Sequence, residues 1–240
     1  MRALILAAGR GSRMNTYTDT IPKCLLKING KSLLEIQLDS IRNAGITDIG
    51  IITGYKKELI EKYSPISFYN ADWQSSNMVS SLACASSWLE KDICIVSYSD
   101  IFYDKSAIIS LIKSESDLAI TYDTKWLELW SSRFKNPLED AESFRFSPES
   151  NLLIEIGNKV NSIDEIQGQY MGLLRITPKG WNEIQSIRTN LSKTERDKLH
   201  MTGTLQKIIE NRNLPISVIP YSSNWGEVDT EDDLKLYNIS

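Results

Sequence analysis

The chemistry of this chain is concentrated in a loop near its start. The run Leu6-Ala7-Ala8-Gly9-Arg10-Gly11-Ser12-Arg13-Met14 follows a short apolar stretch, and Pro22-Lys23 follows the run. Small residues at positions 7, 8, 9 and 11 let backbone N–H groups approach a triphosphate closely. Arg13 and Lys23 then supply fixed positive charge for the phosphates. Two commoner phosphate loops are excluded. A dinucleotide fingerprint needs a third glycine, and Ser12, Arg13 and Met14 follow Gly11 instead. Gly30-Lys31-Ser32 copies the end of a Walker A loop, but Leu25 stands where its first glycine belongs.

Carboxylates supply the second element. Asp100 follows the apolar run Ile93–Tyr98, and Glu227 and Asp229 lie in Trp225-Gly226-Glu227-Val228-Asp229-Thr230. An acid just beyond a buried strand sits where open α/β sheets bind ligands. Glu227 has an alternative use as a charge near the start of the helix after Thr230. His200 is the only histidine, so no multi-histidine metal centre can form. Trp126 and Trp130 are spaced i, i+4 and share one face of a helix. Core packing and a ligand pocket are both open to them. Their place after a strand end, in a loosely patterned segment, favours neither strongly.

These residues need elements to position them. Apolar runs at Ala3–Leu6, Ile49–Thr53, Ile66–Tyr69, Ile93–Tyr98, Leu118–Tyr122, Tyr170–Ile176 and Ile216–Ile219 read as buried strands. Helical patterns separate many of them. The clearest starts at a Ser32 cap, presents Leu33, Leu34, Ile36, Leu38 and Ile41 inward and stops at Gly45. The alternation predicts an α/β fold whose central sheet is mostly parallel, with helices on both faces. Residues 124–161 break the pattern and read as a small inserted lobe within a single domain spanning 1–240. The chain has 240 residues, enough for one sizeable core. Its net charge of −4 argues against a general nucleic-acid partner. The first apolar run is too short for a membrane span. Three scattered cysteines, Cys24, Cys84 and Cys94, make neither a disulfide framework nor a CxxC site, which points to reduced thiols in the cytoplasm.

The composite of the LAAGxGxRM loop, Pro22-Lys23 and Gly30-Lys31-Ser32-Leu33-Leu34-Glu35 resembles the sugar-phosphate nucleotidyltransferase superfamily. Asp100, Tyr170-Met171-Gly172 and the Trp225–Thr230 run extend the likeness. The resemblance implies a Rossmann-like nucleotidyltransferase fold and a Mg²⁺ ion held by Asp100 and Asp229, with Glu227 a third oxygen donor. It implies nucleotide contacts from Leu6, Ala7, Ala8, Gly9 and Gly11, with Lys23 and Arg13 as the catalytic cations. Tyr69-Asn70-Ala71-Asp72 with Ser76–Leu82, and the stretch Tyr122–Arg133, are similar to the cytidylyltransferase branch that includes bacterial phosphocholine and phosphonate enzymes. On that likeness the substrates are CTP and a small phosphorylated or phosphonate acceptor. Asn77 and Ser81 would lie near the base. Trp126, Trp130, Arg133 and Tyr170 would form the acceptor pocket. The alternatives are a sugar-1-phosphate nucleotidyltransferase using another NTP and a non-catalytic nucleotide sensor. Oligomeric state stays open, a homo-oligomer included.

Overall fold

A computed structural model describes residues 1–238. The described strands are β1 (Arg2–Ala7), β2 (Lys27–Ile28), β3 (Lys31–Ser32), β4 (Ile49–Thr53), β5 (Ser67–Tyr69), β6 (Cys94–Tyr98), β7 (Ile101–Tyr103), β8 (Leu118–Asp123), β9 (Glu142–Ser147), β10 (Leu152–Lys159), β11 (Gln169–Ile176), β12 (Ser217–Tyr221) and β13 (Trp225–Glu227), and the seven apolar runs become β1, β4, β5, β6, β8, β11 and β12. Nine of them form one sheet in the order β5-β4-β1-β6-β11-β8-β12-β10-β9. All five residues of β4 are buried, as expected of a strand covered on both faces. The pairings β5-β4, β4-β1, β1-β6 and β12-β8 are parallel. β11 runs antiparallel between β6 and β8, with Leu174 opposite both Val96 and Ile120. A hydrophobic run carries no sign of direction, so this reversal had no trace in the periodicity.

Alternate residues of β1 serve the two faces of the sheet. Ala3, Ile5 and Ala7 belong to one apolar core, while Leu4 and Ala8 belong to the other. The segment 124–161, expected as a lobe, holds the helix Trp126–Arg133 and the hairpin β9–β10. The hairpin joins the main sheet through β10, which meets β12 at Leu152 and Ser217, so its strands extend the sheet edge.

A two-stranded ribbon matters most for the site. β13 lies antiparallel to β7, with Glu227 opposite Ile101 and Trp225 opposite Tyr103. The N–H of Val228 donates to the carbonyl of Asp100 at 2.9 Å. The pairing therefore sets Glu227 and Asp229 beside Asp100. The helix Leu33–Asn43 buttresses β7 from behind. Ser32 and Glu35 close its capping box. Gln37 donates to the carbonyl of Ile101 at 2.5 Å, and Ser40 to that of Tyr103 at 2.6 Å.

Candidate active site

A cleft of about 320 Å³ opens beyond the end of β1. One end is lined by Gly9, Gly11, Ser12, Arg13, Lys23 and Asp100, and the other by Trp73, Ser76, Asn77, Met78 and Ser81. Gly11 has φ +74°, a conformation that favours glycine. A Cβ there would stand 2.7 Å from Cδ of Lys23 and 2.8 Å from its Cβ. The loop thus packs glycine backbone directly on the lysine stem and fixes where its ammonium points.

That ammonium lies between two acids. Lys23 Nζ donates to Oδ2 of Asp100 at 2.8 Å and to Oδ1 of Asp229 at 2.5 Å. Arg13 reaches the same Asp229 oxygen at 3.0 Å from the exposed side. Lys23 is only 7% exposed. Burial alone would lower its pKa, but the two carboxylates outweigh it and hold the group charged, well above its ordinary value.

Asp100, Glu227 and Asp229 each offer an oxygen within 4.8 Å of the others. Oδ1 of Asp100 is buried and has no hydrogen-bond partner. Three hard oxygen donors, one of them unpartnered, fit a Mg²⁺-like cation that also takes phosphate oxygens. The carboxyl of Glu227 is pushed up to about 8 by burial and by the neighbouring charges of Asp229 and Asp100, which Arg133 and Lys23 only partly offset. A second cation at this spot would relieve that repulsion.

Arg133 closes the group from beneath. Its side chain has no exposed surface. Nη1 donates to Glu227 at 3.0 Å, while Nε and Nη2 donate to Asp233 at 2.8 and 3.3 Å. Asp233 in turn accepts the backbone N–H groups of Asp229 and Thr230, each at 2.9 Å. The Thr230–Asp233 capping box of the helix Glu231–Tyr237 therefore also fixes the backbone that carries Asp229.

A family model described as the MobA-like NTP transferase domain matches residues 3–143. The chain belongs to this family. Over its length it is similar to the CTP:phosphoglutamine cytidylyltransferase of Campylobacter jejuni, at 33% identity covering 98% of each chain. It is 42% identical to the choline-phosphate cytidylyltransferase of Streptococcus pneumoniae, over 34% of this chain and 38% of that protein. The inositol-1-phosphate CTP transferase from T. maritima has a similar fold, with a TM-score of 0.80 at 20% identity over 98% of this chain and 93% of the other. The chain is thus a nucleotidyltransferase of mixed α/β, Rossmann-like fold.

Within this nucleotidyltransferase, the residues expected from the sequence are partly gathered and partly dispersed. Leu6, Ala8, Gly9, Gly11, Arg13, Lys23, Asn77, Ser81 and Asp100 all line the cleft. Ala7 does not: strand alternation turns it into the core, where it is 2% exposed. Asn77 caps the helix Met78–Ala83, accepting from the N–H of Met78 at 2.7 Å. Trp126 and Trp130 are 5% and 4% exposed and pack in the core with Trp225, so they form no wall of the cleft. The helix turns that face inward because a large apolar surface is buried there, although the indole N–H of Trp130 is left without a partner. Arg133, expected to meet the acceptor, is instead enclosed by carboxylates. Tyr170 stands edge-on behind the cleft residue Tyr98, with ring centroids 5.8 Å apart, and its hydroxyl is buried without a partner. Ser76, the start of the stretch singled out in the sequence, also lines the cleft, as do Trp73 and Tyr98, which no spacing in the sequence marks for it. Asp233 did carry a legible signal, the Thr-x-x-Asp spacing of a helix cap.

Proposed function

We propose that this nucleotidyltransferase couples CTP to a small phosphorylated acceptor in a Mg²⁺-dependent reaction that releases pyrophosphate. The observation that carries the proposal is Lys23, held between Asp100 and Asp229 at the mouth of the glycine-loop cleft. An acceptor phosphate oxygen attacks the α-phosphorus. A new O–P bond forms, the bridge to the β-phosphorus breaks, and its electrons leave on pyrophosphate. Two anions must meet, so the protein's part is positioning and neutralisation. The backbone N–H groups around Gly9 and Gly11 hold phosphate oxygens. Lys23 and Arg13 stabilise the charge that grows on the bridging and non-bridging oxygens. Asp100, Glu227 and Asp229 would hold Mg²⁺, which supplies Lewis-acid neutralisation of the phosphates when bound.

The full-length likeness to a CTP:phosphoglutamine enzyme supports both CTP and an acceptor of the phosphoglutamine kind. Burial of Trp126 and Trp130 weakens the case for an aromatic cage around a quaternary ammonium, and with it phosphocholine. The convergence of Arg13, Lys23 and three acids argues against a silent sensor. No helix among the described residues is long and apolar enough to cross a membrane, and Cys24, Cys84 and Cys94 are free. A cytoplasmic setting accords with the free thiols. The test is pyrophosphate release from five NTPs against phosphoglutamine, phosphocholine, 2-aminoethylphosphonate and a sugar 1-phosphate. CTP should be preferred, and EDTA should abolish turnover until Mg²⁺ is restored. Full activity in excess EDTA contradicts the metal part. A preference for another NTP with a sugar phosphate contradicts the rest.

A further inference from the structure

The cleft is chemically divided. Its charged end, with Arg13, Lys23 and Asp100, suits phosphates, so an uncharged base belongs at the end lined by Trp73, Ser76, Asn77, Met78 and Ser81. Behind that end stands Asn70, which lines nothing and is 5% exposed. Its amide orientation is fixed by chemistry. Oδ1 accepts the backbone N–H of Asp72 at 3.0 Å, so the NH₂ group must face the other way. There it donates to Oγ of Ser76 at 3.0 Å and to Oγ of Ser81 at 2.9 Å.

Each serine hydroxyl has one proton and accepts through its oxygen. Since Asn70 donates to both oxygens, neither proton can point back at Asn70. The Ser76 proton has no acceptor among the described residues, and the Ser81 proton has only the carbonyl of Asn77 at 3.4 Å. Both protons are therefore available to a base in the cleft. Cytosine offers acceptors at O2 and N3. Uracil keeps O2 but carries a hydrogen on N3, which cannot use a serine proton and must compete for the one lone pair Asn70 leaves on each oxygen.

Building on the CTP reading, we propose that Asn70 is a positioning residue for base specificity. By filling one lone pair of each serine oxygen and turning the hydroxyl proton away from itself, it biases Ser76 and Ser81 toward donating into the cleft, and so favours cytosine over uracil without touching the base. A buried donor facing a donor costs enough to change kcat/KM by about tenfold to a hundredfold.

The decisive variant is Asn70→Asp, which keeps an acceptor for Asp72 but presents an acceptor to both serines. The hydroxyl protons then turn toward residue 70, and lone pairs face the cleft. The ratio of kcat/KM for CTP over UTP should fall by about tenfold or more. A purely structural role would instead scale both nucleotides alike. Ser76→Ala provides a second reading at a partly exposed position, and it decides the matter should Asn70→Asp lose its thermal transition. There the ratio should fall by a few-fold as one donor disappears. A ratio equal to that of the wild type in folded Asn70→Asp, or in Ser76→Ala where the first variant does not fold, overturns the inference. A wild-type protein that does not prefer CTP over UTP sinks the cytidylyl reading itself, whereas a preference that survives Asn70→Asp sinks only the role of Asn70.

Discussion

Replacing Arg133 by methionine should unfold this protein at a markedly lower temperature. The guanidinium is wholly buried and its contacts are short: 2.8 Å to Asp233, 3.0 Å to Glu227 and 3.8 Å to Asp229. Screening by solvent, which makes most surface pairs worth little, does not apply here. Removing one partner of a buried ion pair leaves the others uncompensated, at a cost of about 3–5 kcal/mol. In a chain of this size each kcal/mol moves Tm by roughly 2–4 °C, so a fall of about 6–20 °C is expected. Differential scanning calorimetry on the metal-free protein reads it directly. Arg133→Lys sharpens the test. A single ammonium cannot span Asp233 and Glu227 as Nε, Nη1 and Nη2 do, so it should recover less than half of the loss. A fall of less than about 2 °C in the methionine variant would show that the cluster is not held by this residue.

Lys23→Ala should keep the far-ultraviolet circular dichroism of the parent but lose about 10²–10³ in kcat, since it removes a preorganised charge; turnover near that of the parent would refute the assignment. Gly11→Ala introduces a side chain at φ +74° and within 2.8 Å of the Lys23 stem, so the nucleotide KM should rise severalfold, by about one kcal/mol or more of binding. Unchanged KM would mean that the loop rearranges freely. Glu227 in the folded chain keeps its proton up to about pH 8, where the unfolded chain has already lost it. The folded state thus binds more protons, and raising the pH from about 5 to 8 favours unfolding, by at most about 1.4 kcal/mol per pH unit for one proton. Urea titrations of metal-free protein should show that slope flattened in Glu227→Gln; identical slopes would remove Glu227 as its source.

Much of the scaffold could be read in advance because burial writes itself into composition. Ile49–Thr53 was bounded to the residue, since a strand covered on both faces is apolar throughout. The Ser32 cap marked the start of the helix Leu33–Asn43, and in the structure Glu35 completes its capping box. The short strands Ile101–Tyr103 and Trp225–Glu227 were invisible, since three residues carry no periodicity and their pairing joins segments far apart in the chain. The glycine loop and Lys23 were legible because fixed charge beside closely spaced small residues suits an anion, whereas only the family resemblance grouped Glu227 and Asp229 with Asp100. The tryptophans were not, because i, i+4 spacing says which residues share a face but not what that face meets. Trp126 and Trp130 meet core, whereas Ser76, Asn77 and Ser81, marked in the sequence by the family resemblance, line the cleft.

The ribbon of β7 and β13 also has a meaning for synthesis on the ribosome. Lys23 and Asp229 are separated by 206 positions, and the family model ends at residue 143. The glycine loop and β1 are therefore synthesised long before two of the three acids. Until Glu227 and Asp229 emerge, Lys23 has only Asp100 to answer its charge. A chain cut short before Trp225 would lack Glu227, Asp229 and Asp233, leaving Lys23 with one carboxylate and the buried Arg133 without its three acidic partners. Completion of the charge cluster is thereby tied to synthesis of the strand Trp225–Glu227 and the helix Glu231–Tyr237, and a truncated product would carry a buried guanidinium without the carboxylates that answer it.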